Sequence, residues 1–146
     1  MRTHVQFRSA KLASTTPAPD EAFGENNPGI WGRRLAEYLR DQLRSHGVKT
    51  GEEVAEDWGW LVPIDDAPFK LYLGCANYAE VDDDEGYLVF VQPDTPTIRR
   101  WFKTIDTRAD IARVVGVLEK VLVEDPDISE VTWFTADEFR SGKKEG

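Results

Sequence analysis

The chain has little thiol or imidazole chemistry, with one cysteine, Cys75, and two histidines, His4 and His46, among its 146 residues. A single cysteine excludes an intramolecular disulfide and leaves no pair of thiols for a zinc site, which indicates a reducing compartment. No apolar run approaches the roughly 20 residues that a membrane-spanning helix needs. Residues 1–12 also lack the apolar core of a signal peptide. We therefore expect a cytoplasmic protein that does not contact a membrane.

Phosphate-binding and cofactor-binding motifs are missing as well. The sequence contains neither a GxxxxGK[ST] pattern nor a GxGxxG pattern, so the helix start near Asn27 is only a weak anion site. We expect no cofactor and no metal centre. The net charge of −9 disfavours nucleic-acid binding, and one short basic-aromatic cluster at residues 99–103 does not offset that charge.

The composition is that of one folded domain. Hydrophobic residues make up 40% of the chain and charged residues 31%, which is typical of a globular protein and not of a disordered one. No break in composition divides residues 1–146, so we expect a single domain. Within it, residues 14–29 carry three prolines and two glycines and predict a loop or mobile arm, while residues 141–146 predict a frayed tail.

Two segments have the apolar spacing of amphipathic helices. In the first, Asn27 can cap the helix and Pro28 suits its first position, whereas Gly47 offers a left-handed end. The second is predicted to begin at Thr107, with Asp110 completing a capping box. The apolar positions are Trp31, Leu35, Tyr38, Leu39 and Leu43 in the first helix, and Ile111, Val114, Val115, Leu118, Val121 and Leu122 in the second.

Alternating apolar residues predict the strands, which cover residues 4–12, 58–64, 69–75, 86–92 and 131–133. The turn residues at 65–68 favour an antiparallel hairpin, and a strand apolar on both sides at 86–92 indicates a central place in the sheet. Ile98–Phe102 fits an edge strand or a helical turn equally well, and Thr135 with Glu138 can cap a final turn. The order β-α-β-β-β-α-β predicts an α+β fold with two amphipathic helices on a mainly antiparallel sheet.

Acidic residues are concentrated in one part of the chain. Residues 52–94 hold 12 acids and one base, Lys70, which gives this segment a net charge of −11. Four consecutive acids lie between two predicted strands: Asp82, Asp83, Asp84 and Glu85. Calcium binding is disfavoured because the run lacks the distal glutamate of a calcium loop. A solvated hairpin tip is the simplest interpretation, and capture of a basic partner is the functional alternative.

A second group of residues can be interpreted as a pocket. Trp58 and Trp60 share one face of a strand, which suits stacking on a ligand, but the same parity favours packing in the core. Cys75 ends another strand and favours an inert buried thiol over a nucleophile, since both histidines are remote in sequence. Asn77 and Tyr78 follow it and are expected to shape the turn and cover the rim of the core.

Three short motifs carry a resemblance to a group of uncharacterised bacterial proteins. They are NPGxWG at residues 27–32, EDWGW at residues 56–60 and GCxNY at residues 74–78. The chain resembles this family of unknown function over roughly residues 26–134. The resemblance implies no activity, cofactor or partner.

These observations lead to two main hypotheses and a third. The first is a small acidic, non-enzymatic protein-binding module, of the inhibitor or immunity type, that uses Asp82–Glu85 against a basic protein partner. The alternative is a small-ligand-binding protein or enzyme with a pocket near Trp58, Trp60, Cys75 and Tyr78, where Glu56 or Asp57 would serve as an acid or base. The third is assembly into a homodimer through an exposed sheet edge.

Overall fold

The computed structural model describes residues 1–9, 33–56, 59–77, 86–93, 99–100, 103–104 and 107–141, which form eight strands and three helices. The strands are β1 (Arg2–Arg8), β2 (Val54–Glu56), β3 (Gly59–Ile64), β4 (Leu71–Asn77), β5 (Gly86–Pro93), β6 (Arg99–Arg100), β7 (Lys103–Thr104) and β8 (Ser129–Thr135). The helices are α1 (Arg33–Ser45), α2 (Arg108–Glu124) and α3 (Ala136–Ser141).

Six strands form one antiparallel sheet in the order β2-β3-β4-β5-β1-β8. The predicted α+β class and its order of elements are confirmed. β5 lies between β4 and β1, so the prediction that this doubly apolar strand is central is also confirmed. β6 pairs with β7 in a separate ribbon, which makes Arg99–Arg100 a strand but not an edge of the main sheet.

The first strand lies inside the sheet and not at its edge. β1 pairs on one side with β5, where Val5 faces Val89, and on the other with β8, where Val5 faces Trp133. Its observed range of Arg2–Arg8 starts and ends earlier than the predicted 4–12. The register with β8 shifts at both ends, and Glu130 adopts a φ of 54° beside one shift, as expected of a bulge that adds one residue to β8.

The core lies between one face of the sheet and the two long helices. The strands contribute every second residue to this core, because successive side chains of a strand point to opposite faces of the sheet and these helices cover only one face. α1 buries four residues and α2 buries five, nearly all at the predicted positions. The helix residues are Leu35, Ala36, Leu39, Leu43, Ile111, Val114, Leu118, Val121 and Leu122, and the fully covered strand residues include Val5, Val62, Leu73, Tyr87 and Val89.

The helix ends show which capping predictions hold. Gly47 has a φ of +88°, and Val48 N donates to Leu43 O at 3.0 Å, so α1 ends in a Schellman motif at the predicted glycine. The second helix follows Thr107 as predicted, but the Thr107 side chain makes no capping hydrogen bond.

A capping box does occur at the start of α3. Thr135 N donates to Glu138 Oε1 at 2.8 Å and Glu138 N donates to Thr135 Oγ1 at 3.0 Å, which confirms the predicted final cap. The predicted arm at 14–29 lies outside the described residues, as does the predicted tail apart from Ser141, the last residue of α3. Among the described helices, none has the length and apolar content needed to cross a bilayer.

Candidate functional site

The acidic run is placed by the strands on either side of it. β4 and β5 are antiparallel neighbours, and their last pair joins Asn77 to Tyr87. The segment between these strands therefore connects two central strands at one end of the sheet. Asp82–Glu85 and Tyr78 belong to that segment and lie outside the described residues, as do Asp57 and Trp58.

Two residues of the predicted pocket, Trp60 and Cys75, are core side chains, and a third, Asn77, is the last residue of β4. Trp60 and Cys75 are direct partners across β3 and β4, and their exposures are 7% and 0%. Burial raises the pKa of the Cys75 thiol far above its ordinary value, because a thiolate would lose its hydration there. The predicted burial of Cys75 is confirmed, and a buried position of this kind does not suit a nucleophile.

Described residues of the second and third motifs contact each other, and the arginine that follows the first motif contacts the second. The Arg33 guanidinium, directly after NPGxWG, lies 5.1 Å from the centre of the Trp60 ring, in EDWGW. Gly59 of that motif lies so close to GCxNY that a β-carbon on it would be 2.3 Å from the carbonyl oxygen of Cys75. These contacts give the glycine, the tryptophan and the arginine a structural reason to occur together.

Two acids of the 52–94 segment are neutralised by arginines of α1. Glu53 is only 6% exposed in its side chain and accepts hydrogen bonds from Arg40 and, at 3.4 Å, from Arg33. Glu52 is 76% exposed and contacts Arg40 at 3.2 Å and Arg44 at 3.0 Å. These two acids act as a clamp between α1 and the start of β2 and are not a free negative surface.

Asp66 is neutralised in a similar way by α2. Arg113 Nη2 donates to Asp66 Oδ1 at 2.8 Å, and Lys49 N donates to Asp66 Oδ2 at 3.0 Å. Partial burial by itself would raise the pKa of Asp66, but these hydrogen bonds outweigh it and hold the pKa below its ordinary value. The concentration of charge that the sequence shows in 52–94 is thus partly offset in space by residues outside that segment.

The sheet has a second apolar face, opposite α1 and α2, which we call the open face. It is formed in its middle by half-buried side chains that lie outside the main core cluster: Leu61, Pro63, Tyr72, Leu88 and Phe90. The alternation of apolar residues along the strands did not predict this face. The available signal was that apolar residues occupy both parities of the third predicted strand.

Aromatic contacts order the middle of the open face. The Phe90 ring lies across Gly74, where a β-carbon would be 2.3 Å from Phe90 Cζ. The Tyr72 ring meets Phe90 edge-on at 6.3 Å between centroids, and Gln92 Nε2 donates to the Tyr72 hydroxyl at 2.6 Å. A side chain at position 74 would displace Phe90, so this glycine allows the ring to lie flat on the sheet.

α3 covers one margin of the open face. His4 stacks between Phe90, at 5.3 Å, and Phe139 of α3, at 5.2 Å. His4 is 8% exposed, and both its burial and the nearby charge of Arg140 lower the pKa of its imidazole. This histidine serves as a packed aromatic ring and is remote from the thiol of Cys75, which faces the other side of the sheet.

A cleft of about 580 Å³ opens at the other end of β3 and β4, around the turn that joins them. Its walls include Pro63 and Tyr72 of the open face together with Pro68 and Lys70 of the turn. No group of three His, Cys, Asp or Glu side chains in the described ranges is arranged to hold a metal ion. The chemistry that this part of the molecule offers is apolar and aromatic contact with a few charges at the rim.

Comparisons of the chain with protein-family models, curated proteins and solved structures give no match. The resemblance carried by the three motifs stays a prediction.

Proposed function

We propose that this chain is a small acidic, non-enzymatic protein-binding module that engages a basic site on a partner protein, in the manner of an inhibitor or immunity protein. The contact surface consists of the acidic run Asp82–Glu85 and the neighbouring part of the open face. The partner contributes Lys and Arg side chains opposite the run and apolar side chains opposite the face.

The observation that carries this proposal is the pairing of β4 with β5. The segment that holds the four acids joins the ends of these two central strands in the sequence, and the sheet has an apolar face that neither long helix covers. Charge at the border of an apolar patch is the usual composition of a specific interface, in which the apolar centre supplies affinity and the rim supplies orientation.

Four adjacent carboxylates suit a basic partner, because their long-range attraction raises the rate of association with a positively charged protein.

The test is a capture experiment followed by titration. Tagged protein is used to capture partners from a lysate of the source organism at about 50 mM and about 500 mM salt, conditions that differ strongly in charge screening. The dissociation constant of the captured partner is then measured for the unmodified chain and for the D83N/D84N variant. We expect the variant to bind about tenfold more weakly at the low salt concentration and nearly as well as the unmodified chain at the high one.

A matched control removes the same charge elsewhere. The E119Q/E124Q variant loses two exposed acids of α2, so it has the same net charge as D83N/D84N and should keep the original affinity. A third variant, L88Q, should weaken binding at both salt concentrations, because apolar contact is not screened by ions. If D83N/D84N and E119Q/E124Q lose the same amount of affinity, the acidic run is not part of the contact surface.

A further inference from the structure

The cleft at the β3–β4 turn has features of a small-molecule site. Its volume of about 580 Å³ lies within the range of roughly 300 to 1,000 Å³ usual for such sites. Most of the side chains that line it are apolar and short or rigid, and one is cationic. The lining residues include Leu61, Pro63, Ala67, Pro68, Lys70 and Tyr72.

The turn that forms the floor of the cleft is fixed by hydrogen bonds from two other parts of the chain. Asp65 N donates to Lys49 O at 2.8 Å, and Gly51 N donates to Pro63 O at 3.0 Å. Asp66 binds Arg113 of α2 on the other side. A cleft held in this way is formed before a ligand arrives, which lowers the entropic cost of binding.

The two charges at the cleft differ in position. Lys70 is exposed and directly precedes β4, and it is the only base between residues 52 and 94. Asp65 lies at the other end of the turn, and its Oδ2 lies 3.2 Å from where a β-carbon on Gly51 would be. The carboxylate of Asp65 thus lies on the side of the 49–51 segment, while Lys70 lines the cleft from the residue that directly precedes β4.

We propose that this cleft binds a small amphipathic anion, with an apolar ring or chain against Pro63, Pro68 and Tyr72 and a single carboxylate or similar group against Lys70. The prolines and the tyrosine give flat, rigid contact surfaces, and the lysine supplies the charge that selects an anion over a cation. The cleft lies where β4 begins, whereas the acidic run follows the end of β4 in the sequence, so the cleft is distinct from that run.

The probe for the test is the anionic aromatic dye anilinonaphthalene sulfonate, titrated into the folded protein and followed by fluorescence. The cationic aromatic dye thioflavin T serves as its counterpart of opposite charge. We expect saturable one-to-one binding of the anionic dye and at least threefold weaker binding of the cationic one. Lys70→Gln should weaken the anionic dye about threefold to fivefold, as expected for an exposed ion pair.

Three further variants test whether the dye binds in this cleft and not elsewhere on the protein. Lys120→Gln removes an exposed lysine of α2 and should change nothing. Ala67→Trp fills the cleft from the turn and should abolish dye binding, whereas Asp65→Asn removes the repelling charge and should tighten it. Circular dichroism of each variant confirms that the fold is kept.

Several outcomes would contradict the proposed anion site. The proposal is overturned if the anionic dye does not saturate at one site, if Ala67→Trp leaves it bound, or if Lys120→Gln weakens it as much as Lys70→Gln. Preference for thioflavin T with dependence on Asp65 would assign the cleft to cations instead. D83N/D84N should bind the dye like the unmodified chain, so failure here is distinct from failure of the partner surface.

Discussion

At the scale of single residues, two glycines have opposite environments. Gly59 has a φ of +155°, and a β-carbon on it would meet the backbone oxygen of Cys75 at 2.3 Å, a distance that only backbone movement can relieve. Gly116 lies within α2 and is exposed, and a β-carbon on it would find no atom within 4 Å. One glycine is required by a close approach of two strands, while the other has no such role in the fold.

We expect Gly59→Ala and Gly116→Ala to change stability in opposite directions. The first forces β3 and β4 apart and should lower the free energy of unfolding by about 2 kcal/mol or more. The second replaces a poor helix former with the best one and should raise it by up to about 1 kcal/mol. Urea unfolding followed by tryptophan fluorescence measures both, and a similar change in the two variants would contradict this explanation of Gly59.

At the scale of elements, the clamp between α1 and β2 depends on two adjacent acids of very different exposure. Glu53 and Glu52 both contact Arg40, but their side chains are 6% and 76% exposed. Removing the charge of Glu53 takes away the buried partner that Arg33 and Arg40 share, whereas an exposed ion pair contributes little because water replaces it.

Glu53→Gln should therefore lower the free energy of unfolding by about 1 to 3 kcal/mol, and Glu52→Gln by less than about 0.5 kcal/mol. Hydrogen exchange of the α1 amides should increase in the first variant only. Each variant removes one negative charge, so the net charge of the protein changes by the same amount in both. Equal effects on stability would mean that the burial of Glu53 does not matter to the clamp.

The elements themselves could largely be predicted from local patterns. Leu118 and its helical neighbours repeat with the period of a helix, and Val62 and Leu73 with that of a strand, because each element buries only one side. The absence of a side-chain cap at Thr107 could not be predicted, because the free backbone amides at a helix start can be satisfied by more than one neighbouring group. The six-stranded order also depends on pairing between distant segments that no local pattern reveals.

The candidate surfaces were less predictable than the elements. The position of the acidic run between two strands followed from alternation, but the neutralisation of Glu53 and Asp66 required knowing which arginines fold back onto them. The open face was missed because Tyr72 and Phe90 occupy the parity that alternation assigns to solvent. Only the three-dimensional sheet shows that these rings meet across Gly74.

At the scale of the whole molecule, the thiol of Cys75 reports on global opening of the core. It lies on the inner face of a central strand and is fully buried, so a reagent reaches it only when the sheet and helices separate. We expect dithiobis(nitrobenzoate) to label it very slowly without denaturant, and the rate to rise with urea in parallel with the unfolded fraction.

The Gly59→Ala variant provides the matching control for this prediction. A loss of about 2 kcal/mol multiplies the open population by about thirtyfold, and the labelling rate should rise by the same factor when closing is fast. Rapid labelling of the unmodified chain under native conditions would show local access to the thiol and would favour the alternative hypothesis of a pocket near Trp60 and Cys75.

The position of β1 in the sheet also has a consequence for biosynthesis. This strand is synthesised before both of its neighbours, β5 and β8, so Val5 must wait for both Val89 and Trp133 before its pairing is complete. Closure of such long loops is slow compared with local helix formation. The nascent chain consequently holds an apolar strand without its final partners until nearly the last residue of β8 has been translated, and chaperones have that whole interval in which to bind it.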